Sequence, residues 1–171
     1  LGFTLGQLAY GPLSDRYGRR PVLLSGVTLY VAMTVMCALA TDVESLSAYR
    51  FFQAVGGGAG TVLSRAIIRD RYDGAMMAKV MSLMLTIILF APMIAPVIGG
   101  YVLLWFGWRA VFWILVGAGT LAIGVVLFGI RESLPPERRA MPGVGPVLRG
   151  YVTVLGNRDA LGYILAGGVT F

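Results

Sequence analysis

The sequence predicts an all-α membrane fold, and three observations carry that expectation. Of its 171 residues 57% are hydrophobic and only 13% charged, about half the charge of an ordinary soluble domain. Long uncharged runs recur, and a helix needs about 20 mostly apolar residues to cross the hydrocarbon core of a bilayer. The basic residues fall between these runs, as they do where one side of a membrane collects Lys and Arg.

The elements follow in order. Residues 1–13 are apolar but too short to cross alone, as are residues 160–171, so each reads as part of a longer span. The chain starts on Leu1, without an initiator Met or a basic leader, and reads as a piece of a larger protein. Residues 22–41 form an uncharged span; residues 45–67 form another, with Arg50 inside it and Arg65 near one end. Residues 80–104 and 110–130 make a helical hairpin turning near Phe106, Gly107 and Trp108. Residues 1–130 therefore read as one bundle, 131–159 as a polar connection broken by Pro135 and Pro136, and 160–171 as the start of a second bundle. Within the connection, Val147, Leu148, Tyr151, Val152 and Leu155 recur at helical spacing after Pro146. That stretch is either a helix in the membrane interface or a loop packed on the bundle.

The net charge of +6 is distributed by this topology. Arg16, Arg19 and Arg20 lie in the first connection, and Arg65, Arg69, Arg71 and Lys79 in the third. Arg131, Arg138, Arg139, Arg149 and Arg158 lie in the last. The second connection has no base and the fourth only Arg109, so the first, third and last are expected on the cytoplasmic side. A nucleic-acid binder would gather its bases on one patch; alternation with hydrophobic spans excludes that partner. The chain has no His and one Cys, which removes the usual general base and metal ligand and any internal disulfide. Neither a catalytic constellation nor a metal or cofactor site is expected, and the chain does not read as an enzyme.

The segment Gly11-Pro12-Leu13-Ser14-Asp15-Arg16-Tyr17-Gly18-Arg19-Arg20-Pro21 is the most informative. Asp15 beside a helix end can accept backbone N–H bonds or pair with a base. Gly18 permits positive φ in a tight turn, and Pro21 can open the next helix without losing a hydrogen bond. This pattern resembles the major facilitator superfamily, whose loop between its second and third helices reads G-x-L-x-D-R-x-G-R-R. The match runs through Gly11, Asp15, Arg16, Gly18, Arg19 and Arg20. The resemblance implies a charge network in which Asp15 and Arg19 meet an acid at the end of the fourth helix, holding one state of a transport cycle. By position that acid is Asp70, with Asp73 three residues away.

Arg50 lies inside a span, where a charge is expensive and marks a functional site, although a position near the span's end would let it snorkel. Arg50-Phe51-Phe52-Gln53 resembles the R-x-x-Q-G motif of the superfamily's drug/proton antiporters, with Ala54 in place of Gly. The resemblance implies that Arg50 and Gln53 take part in proton coupling. Gly56 and Gly60 follow at a spacing that allows close helix contact. In the next span Pro92 and Pro96 each remove a backbone donor and are expected to bend or loosen the helix, while Gly99 and Gly100 would admit a close neighbour. Ala95-Pro96-Val97-Ile98-Gly99-Gly100 is similar to the exporters' G-P-x-x-G-G motif.

Together with Leu1-Gly2-Phe3, Leu5-Gly6-Gln7-Leu8, Phe112-Trp113-Ile114-Leu115 and Glu132-Ser133-Leu134-Pro135-Pro136, these motifs resemble the Bcr/CflA group of bacterial multidrug efflux transporters. That implies a major facilitator fold fragment, running from part of the second helix to the start of the seventh of twelve. It implies a multi-pass protein of the bacterial inner membrane, monomeric, alternating its access, with a small-molecule drug and protons as partners alongside the lipid bilayer. Gln7, Tyr10 and Tyr30 are candidates to face the substrate, and aromatics among them could equally pack between helices. A proton symporter for a sugar or other metabolite is the alternative within the superfamily. A channel is the alternative outside it, but no polar or carbonyl-lined pore is legible.

Overall fold

The computed structural model describes residues 1–135 together with Glu137 and Gly156. The segment from Pro146 to Leu155 and residues 160–171 lie outside the described residues. Five α-helices run in order: α1 (Gly2–Tyr17), α2 (Arg19–Leu39), α3 (Val43–Arg71), α4 (Gly74–Phe106) and α5 (Trp108–Gly129). No strand occurs among the described residues. Three of the helices, α2, α4 and α5, are long and apolar enough to cross a bilayer.

Each junction has a local cause. A single residue, Gly18, separates α1 from α2 with φ 101°, a conformation that only glycine adopts without strain. Gly107 does the same between α4 and α5 with φ 78°. Asp42 caps α3 by accepting the Ser45 N–H at 2.7 Å, and this bond holds its carboxyl below the usual range. Asp73 stands at the start of α4 without a side-chain cap bond.

The helices pack α1 on α3, α3 on α2 and α2 on α5. The close approach of α1 to α3 comes from small residues one turn apart: a Cβ at Gly2 or Gly6 would fall 2.5 Å from the carbonyl oxygens of Phe51 and Val55. The apolar core gathers Tyr10, Val22, Leu23, Ala59, Leu63 and Val126, with Ile67 and Ile130 against it. Helix α4 contributes no buried residue, and an 18-residue stretch of it with a mean hydropathy of 2.3 suits it to an apolar surrounding.

The small residues divide by what they meet. Gly56 is in tight contact with the backbone of α2, but its partner at four-residue spacing, Gly60, has nothing within 4 Å of the position of a Cβ; Gly58, against α1, takes that place. The rotation of α3 about its axis, which spacing alone leaves open, decides this. Gly99 and Gly100 likewise meet no close neighbour among the described residues. Pro92 and Pro96 lie within one uninterrupted helix of 33 residues.

Candidate functional site

The C-termini of α1, α3 and α5 and the N-termini of α2 and α4 share one end of the bundle, here the basic end. Arg19, in the first turn of α2, organises it. Its Nε donates to Asp70 Oδ2 on α3 at 3.0 Å. Its Nη1 reaches Asp15 Oδ1 on α1 at 2.5 Å and the buried Ser14 hydroxyl at 2.6 Å. One guanidinium thus ties three helices, using the planar fork that makes Arg suited to several acceptors at once. Asp70, not Asp73, is the acid that meets Arg19. Gly11 contributes its carbonyl, which accepts the Ser14 hydroxyl at 2.8 Å, and Arg16 stacks over the Tyr17 ring at 4.8 Å. Arg20 turns away to α5, donating to the Leu127 carbonyl at 2.6 Å.

A further member of this cluster is Glu132, just beyond α5. The N-terminus of α2 has no side-chain cap of its own. Glu132 supplies one from afar, accepting the backbone N–H of Arg19 at 2.9 Å and of Arg20 at 3.4 Å. A carboxylate at this place satisfies orphan donors and meets the positive end of the helix dipole. Ser133 adds a hydroxyl bond to Asp70 at 3.2 Å, and Arg71 holds the Arg131 carbonyl at 2.7 Å. Changing Glu132 to Ala is expected to lower bundle stability by about 1 kcal/mol, the ordinary worth of a lost N-cap. Thermal unfolding in detergent checks this, and Glu132→Gln should retain part of the loss-prone bonding.

A second polar chain crosses between α3 and α2. Arg50 Nη1 donates to Gln53 Oε1 at 2.9 Å, and Gln53 Nε2 donates to the Thr34 hydroxyl at 2.7 Å. Thr34 in turn donates to the Tyr30 carbonyl. Gln53 is 4% exposed and Thr34 fully buried, so in this apolar setting each bond answers a group that would otherwise be costly to leave unpaired. The Arg50 guanidinium lies 5.7 Å from the centre of the Phe112 ring. It lines a cavity of about 430 Å³ with Pro96, Gly99, Trp108 and Phe112. Two motifs that are far apart in sequence, Arg50-x-x-Gln53 and the proline-glycine stretch of α4, therefore meet at one cavity.

The remaining candidates divide. Gln7 bridges α1 and α3, donating to the Thr61 hydroxyl at 3.1 Å. Tyr10 is packed in the core at 7% exposure, in one cluster with Val22, Leu23 and Leu63. Tyr30 lines a separate cavity of about 330 Å³ with Val27, Gly56 and Gly119. Pro92 and Gly100 join neither cavity. No group of three or more metal-ligating side chains occurs among the described residues.

With this geometry in view, the likeness to known proteins is informative. The Major Facilitator Superfamily matches residues 1–171. The MFS-type transporter YdgK of Bacillus subtilis is 38% identical over 98% of this chain and 42% of its own length. The bicyclomycin resistance protein homolog of Haemophilus influenzae is 34% identical over 99% of this chain and 43% of its own. The multidrug resistance protein MdtL of Escherichia coli is 36% identical over 81% of this chain and 36% of its own. The chain thus spans about two fifths of the length of these relatives. The crystal structure of the human organic anion transporter MFSD10 superposes with a TM-score of 0.72 at 22% identity, covering 82% of this chain and 32% of that one, which speaks to the fold. An all-helical bundle with three apolar spans and relatives of this kind make it a multi-pass membrane protein of a transporter family: the chain belongs to the Major Facilitator Superfamily, among relatives of the bicyclomycin- and multidrug-resistance kind.

Proposed function

We propose that this chain is part of a proton-coupled multidrug efflux transporter of the bacterial inner membrane, a monomer of two helix bundles that alternates its access across the bilayer. The observation that carries the reading is that relatives named for bicyclomycin and multidrug resistance align over most or nearly all of the chain. The geometry is suited to it. Arg50 is a cation held in place by Gln53 and aimed along a cavity wall, and a fixed positive charge lowers the pKa of a carboxylate that approaches it. Proton release and substrate binding are then linked through one site. The carboxylate comes from outside the described helices, since their acids, Asp15, Glu44, Asp70 and Asp42 included, sit at helix ends. At the basic end, which faces the cytoplasm, the Asp15–Arg19–Asp70 cluster holds the bundle in one state of the cycle and yields when the state changes.

Everted membrane vesicles carrying the intact protein test the reading. Energised vesicles are expected to accumulate a fluorescent cationic dye, and a protonophore is expected to release it. Accumulation of a sugar or metabolite by energised whole cells, with no dye transport, would instead establish a proton symporter.

A further inference from the structure

The two single-glycine joins share more than their glycines. Tyr17-Gly18-Arg19-Arg20 connects α1 to α2 and Phe106-Gly107-Trp108-Arg109 connects α4 to α5. Each glycine has positive φ with extended ψ, 101° and 154° at Gly18 and 78° and 171° at Gly107. Each donates its N–H back to a carbonyl four residues earlier, Ser14 at 3.0 Å and Leu103 at 3.1 Å. An aromatic residue precedes each glycine, and an Arg follows two positions later, in the first turn of the next helix.

Those next helices, α2 and α5, run antiparallel and pack on each other. Near the middle of both, a Cβ at the buried Gly119 would fall 2.6 Å from Val31 Cγ2 and 3.4 Å from the Tyr30 ring, so the missing side chain is what lets them approach. With that crossing, each first-turn Arg lies beside the other helix's C-terminus. Arg20 donates to the carbonyls of Val126 and Leu127 at 3.4 and 2.6 Å. Arg109 donates to the Ala40 carbonyl at 3.0 Å. The last carbonyls of a helix are orphan acceptors at the negative end of its dipole, and a guanidinium answers both features. The 21 residues of α2 rise about 31 Å, close to the thickness of a bilayer's hydrocarbon core, so the two contacts lie at opposite faces of the membrane.

We infer that Arg109 is a positioning residue, the opposite-face counterpart of Arg20, and that the two arginines clasp α2 and α5 into one strut held at both ends. The ends are unequal. At the basic end Arg20 is seconded by Glu132, which caps α2 through the Arg19 and Arg20 N–H groups. At the other end, among the described residues, Arg109 makes the one side-chain hydrogen bond between α2 and α5, with its guanidinium stacked on Trp108 at 4.3 Å. The end of α2 that it holds carries Thr34, the acceptor for Gln53 and so the last support of Arg50. The clasp stands whatever the protein transports.

Cys37 provides a reporter. It is fully buried, it is the single cysteine of the chain, and its carbonyl accepts the Ala40 N–H at 3.3 Å. The intact protein, in bacterial membranes, is treated with N-ethylmaleimide, and modification of the peptide carrying Cys37 is followed by mass spectrometry. Arg109→Ala is expected to speed that modification about tenfold or more, the factor by which losing a charge-assisted hydrogen bond favours local opening. Arg109→Lys should restore most of the protection, since an ammonium still reaches one carbonyl. Arg20→Ala, which loosens the far end, should leave Cys37 protected. Unchanged labelling in Arg109→Ala overturns the inference, as does equal labelling in Arg20→Ala and Arg109→Ala. If Arg109→Ala gives too little membrane-inserted protein to label, Arg109→Gln carries the same two outcomes.

Discussion

Replacing Arg19 by Gln is expected to abolish transport and to lower bundle stability by about 2 kcal/mol, the scale of a hydrogen-bonded charge lost together with the partners it leaves behind. Arg19 is largely buried, and its removal leaves Asp70, at 22% side-chain exposure, with the Ser133 hydroxyl bond alone. It also takes from the fully buried Ser14 hydroxyl the donor it accepts, while that hydroxyl's own bond to the Gly11 carbonyl stays. Asp15 is another matter. Its side chain is half exposed, so its ion pair with Arg19 is screened by solvent and worth well under about 1 kcal/mol. Asp15→Asn should therefore insert and unfold almost as the native protein does while still losing transport, because what it removes is a charge needed in one state of the cycle. The two variants separate stability from switching. Thermal unfolding in detergent and dye efflux, measured on both, check the pair: normal efflux by Asp15→Asn would remove the switch role, and equal unfolding temperatures would remove Arg19 as the hub.

The same region shows what could be read from sequence and what could not. Alternating basic connections mark the ends of the helices, and the motif from Gly11 to Arg20, with Asp70 by position, names two acids, Asp15 and Asp70, that the fold brings to the Arg19 guanidinium. Glu132 was legible only as part of a resemblance. Its contact with the α2 N-terminus joins positions more than a hundred residues apart, and no period or local spacing encodes such a bond. An acid following Arg131 among so many bases was the one available hint. Arg109 is in sequence only the single base of the fourth connection; its task depends on the antiparallel packing of α2 and α5, which hydropathy does not specify. The meeting of Arg50 with Pro96 and Gly99 is of the same kind, for it requires knowing which faces of α3 and α4 look toward each other.

Helix rotation is also what makes two glycines of one run differ, and the expected result is a large contrast between them. At Gly56 a Cβ would lie 2.6 Å from the Tyr30 nitrogen and 2.8 Å from the Gly26 carbonyl oxygen. Both atoms are backbone of α2, so no side chain can swing aside; α2 and α3 must separate. Overpacking of this sort costs about 1–3 kcal/mol, and with backbone as the obstacle Gly56→Ala belongs in the upper half of that range. At Gly60 nothing lies within 4 Å of the same atom. Gly60→Ala meets no obstacle and gains helix propensity, worth up to about 1 kcal/mol, so it should match or exceed the native unfolding temperature. The separation forced at position 56 has a second consequence. Gly56 lies one turn from Gln53 on α3, and Tyr30 one turn from Thr34 on α2, whose hydroxyl receives Gln53 at 2.7 Å. Parting the helices there stretches the bond that steadies Gln53 and through it Arg50, so Gly56→Ala should lose dye efflux along with stability, while Gly60→Ala keeps both. Equal unfolding temperatures for the two variants would show that the α2–α3 crossing does not rest on Gly56.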